Sequence, residues 1–129
     1  MERLLRRRDF LAAARGLSRA APAAVVQLRR REDEGPPRVG FTVTSKLGHA
    51  VRRNRIRRRL KEAVRLAAAD CFRAGNDYVI IGRAATIDRP FAKLASDIIS
   101  AVNYLHRKQE QDSNAAPVAG RRRLEQDSL

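Results

Sequence analysis

The chain has 129 residues, with 28 Lys and Arg against 14 Asp and Glu, a formal charge of +14 and a pI near 11.5; that balance repels cationic partners and selects polyanions, nucleic acid first, because each phosphate neutralised by Lys or Arg releases a condensed counterion. The length allows one domain with a single modest core and excludes two independent ones. The lone Cys71 excludes an internal disulfide and a thiolate zinc site, and no apolar run approaches the roughly 20 residues of a membrane span, so a soluble chain without a membrane partner is expected in a reducing cytoplasm.

Arg7, Arg8, Asp9, Phe10 and Leu11 read as a twin-arginine export pattern. Arg15, Gly16, Ser18 and Arg19 break the apolar stretch of about 7 to 15 residues that a signal requires, so the cytoplasmic expectation stands. Residues 4–15 predict a short helix with Leu4, Leu5, Phe10, Leu11 and Ala14 on one side, ended by Gly16. Ala23 to Arg31 predicts a strand, and EDEGPP after it a loop in which two prolines forbid pairing. From Arg38 to Lys46 the residues alternate. Val39, Phe41, Val43 and Ser45 point one way and Gly40, Thr42, Thr44 and Lys46 the other, as in a half-buried antiparallel strand.

Beyond Gly48 the period becomes 3.6. Ile56, Leu60, Ala63, Val64, Ala67 and Cys71 fall within about 100° of one another, which predicts a helix from Ala50 to Arg73. The run YVIIG, Tyr78 to Gly82, predicts a central strand covered on both faces. A last helix is expected with Asp88 as N-cap, Pro90 in its first turn, and Phe91, Leu94, Ala95, Ile98, Ile99, Val102 and Leu105 on one stripe. Residues 109–129 hold too few large apolar groups to offset the entropy of ordering them. They are expected to form a disordered tail after a domain spanning 1–108, with Arg121, Arg122 and Arg123 of undefined role. The order helix, strand, strand, helix, strand, helix predicts an α+β sandwich in which helices cover a small sheet.

The segment VRRNRIRRRLKEAVR places Arg52, Arg53, Arg55, Arg57, Arg58, Arg59, Lys61 and Arg65 around one helix, interrupted only by Glu62. Like charges three or four residues apart repel by a few tenths of a kcal/mol per pair, roughly. Several lie in the first turns, where the helix dipole already disfavours cations and suits a phosphate. The arginine fork binds phosphate bidentately or stacks on a base, which favours a structured RNA over diffuse counter-ions. Thr42, Thr44 and Lys46 leave a low polar strip beside Phe10, whose ring is suited to stacking on an unpaired base.

Lys46, Leu47, Gly48, then Ala50 and Val51, then Arg53, Asn54, Arg55 and Ile56, followed by Arg57 and Arg58, resemble the strand-to-helix signature of the bacterial ribonuclease P protein subunit. RVGFTVTSKLG before it and YVIIGR after it extend the likeness across roughly residues 4–108. The resemblance implies a two-layer αβββαβα sandwich related to one domain of a ribosomal protein, with a left-handed βαβ crossover at the arginine-rich helix, against the general preference. It implies two RNA partners, the ribonuclease P catalytic RNA and precursor tRNA, whose single-stranded 5′ leader lies in a groove across the sheet. Phe10, Thr42, Thr44, Lys46, Arg53, Asn54 and Arg57 are then expected at the leader, and Arg52, Arg55, Arg58, Arg59, Lys61 and Arg65 at the ribozyme RNA. The sequence departs from the family where Ala14 and Gln27 stand in place of aromatics, which weakens the expected leader stacking.

No nucleophile, base and orienter assemble, because His49 and His106 lie in different elements and Cys71 falls on a buried stripe. Asp70, Asp77, Asp88 and Asp97 each read as turn or helix-end residues rather than metal ligands. The implied reaction is phosphodiester hydrolysis with Mg²⁺ held by RNA, no catalytic side chain and no metal or cofactor bound by the protein, and no protein partner. The alternatives are an RNA-assembly or ribosome-associated protein, a regulator laying its basic helix in a DNA groove, and a nuclease acting without RNA.

Overall fold

The computed structural model describes residues 1–115. In chain order it contains β1 (Glu2–Arg3), α1 (Arg7–Ala14), β2 (Leu17–Ala20), β3 (Ala24–Arg30), β4 (Arg38–Thr42), α2 (Ala50–Ala63), β5 (Asn76–Gly82) and α3 (Phe91–Ala115). The αβββαβα succession is present, with a two-residue strand in front. The strands form one sheet in the order β1-β4-β5-β3-β2. Strand β3 is antiparallel to β2 and β5, and β4 is parallel to β5 and β1.

Strand β5 is central because both its faces find cover. Tyr78 and Ile80 join Val26, Leu28, Val39 and Val43 beneath Ile56 and Leu60 of α2 and Leu94, Ile98 and Leu105 of α3. Val79, which points the other way, packs with Leu4 and Ala13. Helix α1 therefore lies on the opposite face from α2 and α3, which corrects the expected two-layer sandwich: Val79 and Ile81 present apolar surface that a bare second face would leave in water.

Several expected boundaries move for local reasons. Helix α1 starts at Arg7, because Glu2 and Leu4 donate their amides to Pro37 (2.8 Å) and Val39 (3.0 Å) and divert the preceding residues into β1. Leu5, Leu11 and Ala14 face solvent, while Asp9 and Ala13 face inward. Strand β4 ends at Thr42 rather than Lys46. A 3₁₀ turn, Ser45–Leu47, follows it, and Gly48 at φ +120°, where a side chain is strained, turns the chain into α2.

Helix α2 begins at Ala50 as expected, then changes its winding: a π-helical turn spans Val64–Ala68 and a 3₁₀ turn Ala69–Cys71. The wider π turn shifts the inward stripe by one residue. Ala68 and Phe72 are buried in place of Ala67 and Cys71, and burial pushes the half-buried Cys71 thiol up to about 11. Helix α3 carries the predicted stripe from Leu94 to Leu105, while Phe91 is exposed; the Pro90 carbonyl accepts the helix's first bonds, from Lys93 and Leu94 (both 2.9 Å), so Asp88 is not its cap. The helix also continues beyond Lys108 to Ala115. Gln109 donates to Asn76 Oδ1 (3.0 Å) and Glu110 pairs with Arg73 (2.9 Å), which anchors part of the segment expected to be a tail. Arg121, Arg122 and Arg123 lie outside the described residues.

Candidate nucleic-acid interface

Helix α2 has no acidic residue in its first turn. Its cations divide by what they touch. Arg52 Nε donates to the Leu47 carbonyl (2.9 Å) and Arg53 Nε to Gly48 (3.0 Å), so both fold back over the turn that carries Lys46. Arg57 donates to Asn54 Oδ1 (3.3 Å). Arg65 holds Glu62 through two nitrogens at 3.0 to 3.2 Å; the guanidinium keeps that carboxyl below its ordinary range. Arg55, Arg58 and Lys61 are exposed and make no hydrogen bond or ion pair with any described residue.

Arg59 differs from its neighbours. Its guanidinium donates to the carbonyls of Thr86 (3.1 Å), Ile87 (2.5 Å) and Arg89 (2.6 Å), tying α2 to the connection before α3. It is expected at the ribozyme RNA; in the structure three of its donors serve backbone acceptors of the fold.

At the β4 margin of the sheet, between α1 and α2, Phe10, Thr42 and Arg57 meet in an open groove of about 430 Å³, together with Leu5, Arg7, Phe41 and Val43. Phe10 lies half-buried over Gly40; a Cβ on that residue would stand 2.6 Å from Phe10 Cζ, so glycine is what lets the ring rest on the strand. Thr44, Lys46 and Asn54 are exposed and, with Arg53, lie outside the lining of this groove. Gln27 is paired with Val79 and shares its face. The assembled groups offer an aromatic ring, a hydroxyl and guanidinium donors, a set that suits stacking and phosphate contact along a single strand.

A carboxylate network behind Phe10 escaped sequence reasoning. Asp77 is fully buried within β5 rather than placed at a turn, and accepts bonds from Arg38 Nε and Nη2 and from Arg31 Nη1, all at 2.8 Å. Burial alone would raise its pKa, but the bonds from Arg38 and Arg31 outweigh that and hold it low. Asp9 stands 3.6 Å from both Arg29 and Arg38, so these ion pairs fasten α1, and with it the neighbouring Phe10, to the sheet. The available signal was phase: Asp77 alternates in register with Val79 and Ile81 on the face that α1 covers.

The buried His106 Nε2 is 2.6 Å from the Tyr78 hydroxyl, which also accepts the Arg73 amide (3.0 Å). Burial pushes His106 down to about 4 and Tyr78 up to about 12, so both are neutral near pH 7. This is a satisfied core pair. Among the described residues no three His, Cys, Asp or Glu side chains converge to hold a metal, and no helix is long and apolar enough to cross a membrane.

A family model described as Ribonuclease P matches residues 1–106. The ribonuclease P protein component of Ruegeria pomeroyi is 50% identical over 107 residues, covering 80% of this chain and 85% of that protein. That of Caulobacter vibrioides strain NA1000 is 46% identical over 102 residues, covering 78% and 68%. Among solved structures, the RNase P protein of Thermotoga maritima superposes with a TM-score of 0.64 at 30% identity, covering 78% of this chain and 94% of that one. The fold is likewise that of the Staphylococcus aureus RNase P protein, with a TM-score of 0.67 at 24% identity, covering 81% and 95%.

Proposed function

The chain belongs to the ribonuclease P protein family, whose role is processing of the tRNA 5′ leader, and from that premise we propose that α2 lies against the ribonuclease P RNA while the groove of Phe10, Thr42 and Arg57 holds the single-stranded leader of precursor tRNA. The observation that carries this reading is the partition of α2: Arg55, Arg58 and Lys61 have no counter-ion among the described residues, whereas Arg57, on the same helix, lines the groove with Phe10. Phosphates supply the missing counter-charge, and an aromatic beside polar donors binds unpaired bases without requiring a fixed sequence. Thr44, Lys46, Arg53 and Asn54 are read as contacts on the approach to that groove, and Arg52 and Arg65 as flanking contacts to the ribozyme RNA.

Hydrolysis is assigned to the RNA, with Mg²⁺ held there. The polypeptide binds the leader, screens the charge of two RNA molecules brought together, and supplies no catalytic side chain. A cytoplasmic setting and a left-handed β4–α2–β5 crossover, in a sheet akin to one domain of a ribosomal protein, belong to the same reading.

The test is cleavage of precursor tRNA by the ribonuclease P RNA at low Mg²⁺, with and without the protein. Faster leader removal with protein is expected, and Arg53→Ala with Arg57→Ala should weaken precursor binding more than mature tRNA binding. Equal losses for the two tRNAs would remove the leader groove. No assistance to cleavage would point instead to an RNA-assembly protein.

A further inference from the structure

At the outer margin of the sheet, β1 covers β4 at Arg38 and Val39, so among the described residues Gly40 to Thr42 form an open strand edge. Beside it lies a pocket of about 350 Å³. Val39, Phe41, Val64 and Ala69 line it, with Met1, Glu2, Arg3, Lys61 and Arg65 completing the boundary. Arg3 and Lys61 are exposed and make no ion pair with a described residue, while Arg65 is engaged by Glu62. The π-helical turn Val64–Ala68 forms one wall, and such insertions in helices occur often at functional sites. Phe41 also lines the groove of Phe10 and Arg57, so the two depressions meet at one ring.

We propose that this pocket receives the base of one unpaired nucleotide of the ribonuclease P RNA, with Phe41 and Val64 against its faces and Lys61 at its phosphate. Apolar walls match the faces of a base, an open strand edge presents N–H and C=O groups to its rim, and cations outside meet the backbone. A duplex, whose bases are stacked inside, offers nothing to enter such a cavity. The source is assigned to the ribozyme RNA because Lys61 lies one turn from Arg58 and Arg65 along α2, the helix side read above as facing that RNA; the inference rests on that reading.

The test is nucleotide-resolution footprinting of the ribonuclease P RNA with wild-type protein, Ala69→Trp and Lys61→Gln. Ala69 is exposed at the pocket, so tryptophan fills the cavity from outside the core, and the exposed Lys61→Gln keeps the test independent of how Ala69→Trp folds. Wild-type protein should protect an unpaired nucleotide that both variants leave unprotected, with affinity about tenfold weaker and the remaining protections retained. Full affinity and an unchanged footprint for both variants would overturn the pocket while leaving the family reading intact. Loss of protection in the precursor leader instead of the ribozyme RNA would overturn it as well, and absence of any wild-type footprint would remove both.

Discussion

Replacing Arg55, Arg58 and Lys61 together with glutamine separates charge that serves RNA from charge that serves the fold. All three are exposed and have no partner among the described residues, so no bond seen in the structure is lost. It is relieved of like-charge pairs at three-residue spacing, which stabilises the helix by a few tenths of a kcal/mol per pair, roughly. In binding, each phosphate contact contributes about 0.7 to 0.9 to the slope of log K against log salt, so three lost contacts should flatten that slope by about 2 to 3. Between 0.1 M salt and the extrapolated 1 M reference this amounts to about 100- to 1,000-fold in affinity, or about 3 to 4 kcal/mol at the lower salt, vanishing toward the higher. Filter binding of the ribonuclease P RNA across a KCl series measures the slope directly. Arg59→Gln is the internal control: it abandons three backbone carbonyls, so it should cost about 2 to 3 kcal/mol of stability in urea and leave the slope unchanged. A triple variant with the wild-type slope, or an Arg59 variant with a flattened one, would refute the division.

Gly40→Val should push the Phe10 ring off β4, with about 1 to 3 kcal/mol of overpacking strain and a loss of precursor affinity greater than that of mature tRNA, read by paired titrations. Asp77→Ala leaves Arg31 and Arg38 facing each other without their shared carboxylate and should lower stability by about 3 to 5 kcal/mol, measured by urea unfolding. His106 stays neutral in the folded chain down to about pH 4, while the unfolded chain takes up its proton near 6.5. Between those values the unfolded state binds more protons, so stability present above pH 6.5 is lost as pH falls; relative to His106→Gln, wild type should lose about 2 to 3 kcal/mol from pH 7.5 to 4.5. Val51 is 78% exposed in the first turn of α2, where a carboxylate meets the helix dipole and Arg55 four residues on. Val51→Glu should therefore raise the melting temperature of the free protein while weakening its RNA binding.

The parts of the fold legible in the sequence were those whose burial is periodic over several turns. Leu94, Ile98, Val102 and Leu105 keep one phase along α3, and YVIIG has no polar residue to place in water, so both elements read directly. Strand β2 did not. Leu17, Ser18, Arg19 and Ala20 show no alternation because an edge strand takes its definition from the neighbour it pairs with, here Leu28 to Val25. Nor does the π turn after Ala63 announce itself, since inserting one residue only shifts which alanines point inward. In the candidate site, Phe10, Thr42 and Arg57 were predicted together and lie together. Asp9 was hidden among arginines whose charge dominates the local composition, and Arg59 cannot be told from Arg58 without knowing which of them faces the carbonyls of residues 86, 87 and 89.

The placement of carboxylates explains why one helix is left so positive. Among the described residues, Asp9, Asp33 and Asp77 are gathered around Arg29, Arg31 and Arg38, Asp97 around Arg89, Glu110 around Arg73, and Glu62 around Arg65 at the far end of α2. Each of these pairs closes a contact that the fold needs or lies away from the groove, and none neutralises Arg52 to Lys61. An acid inserted there would strengthen the free helix, yet on the reading proposed above it would occupy the position of an RNA phosphate. The free protein therefore carries self-repulsion that phosphate at α2, as proposed, would remove, so that affinity and the deficit in stability would share one origin, the unmatched charge of α2.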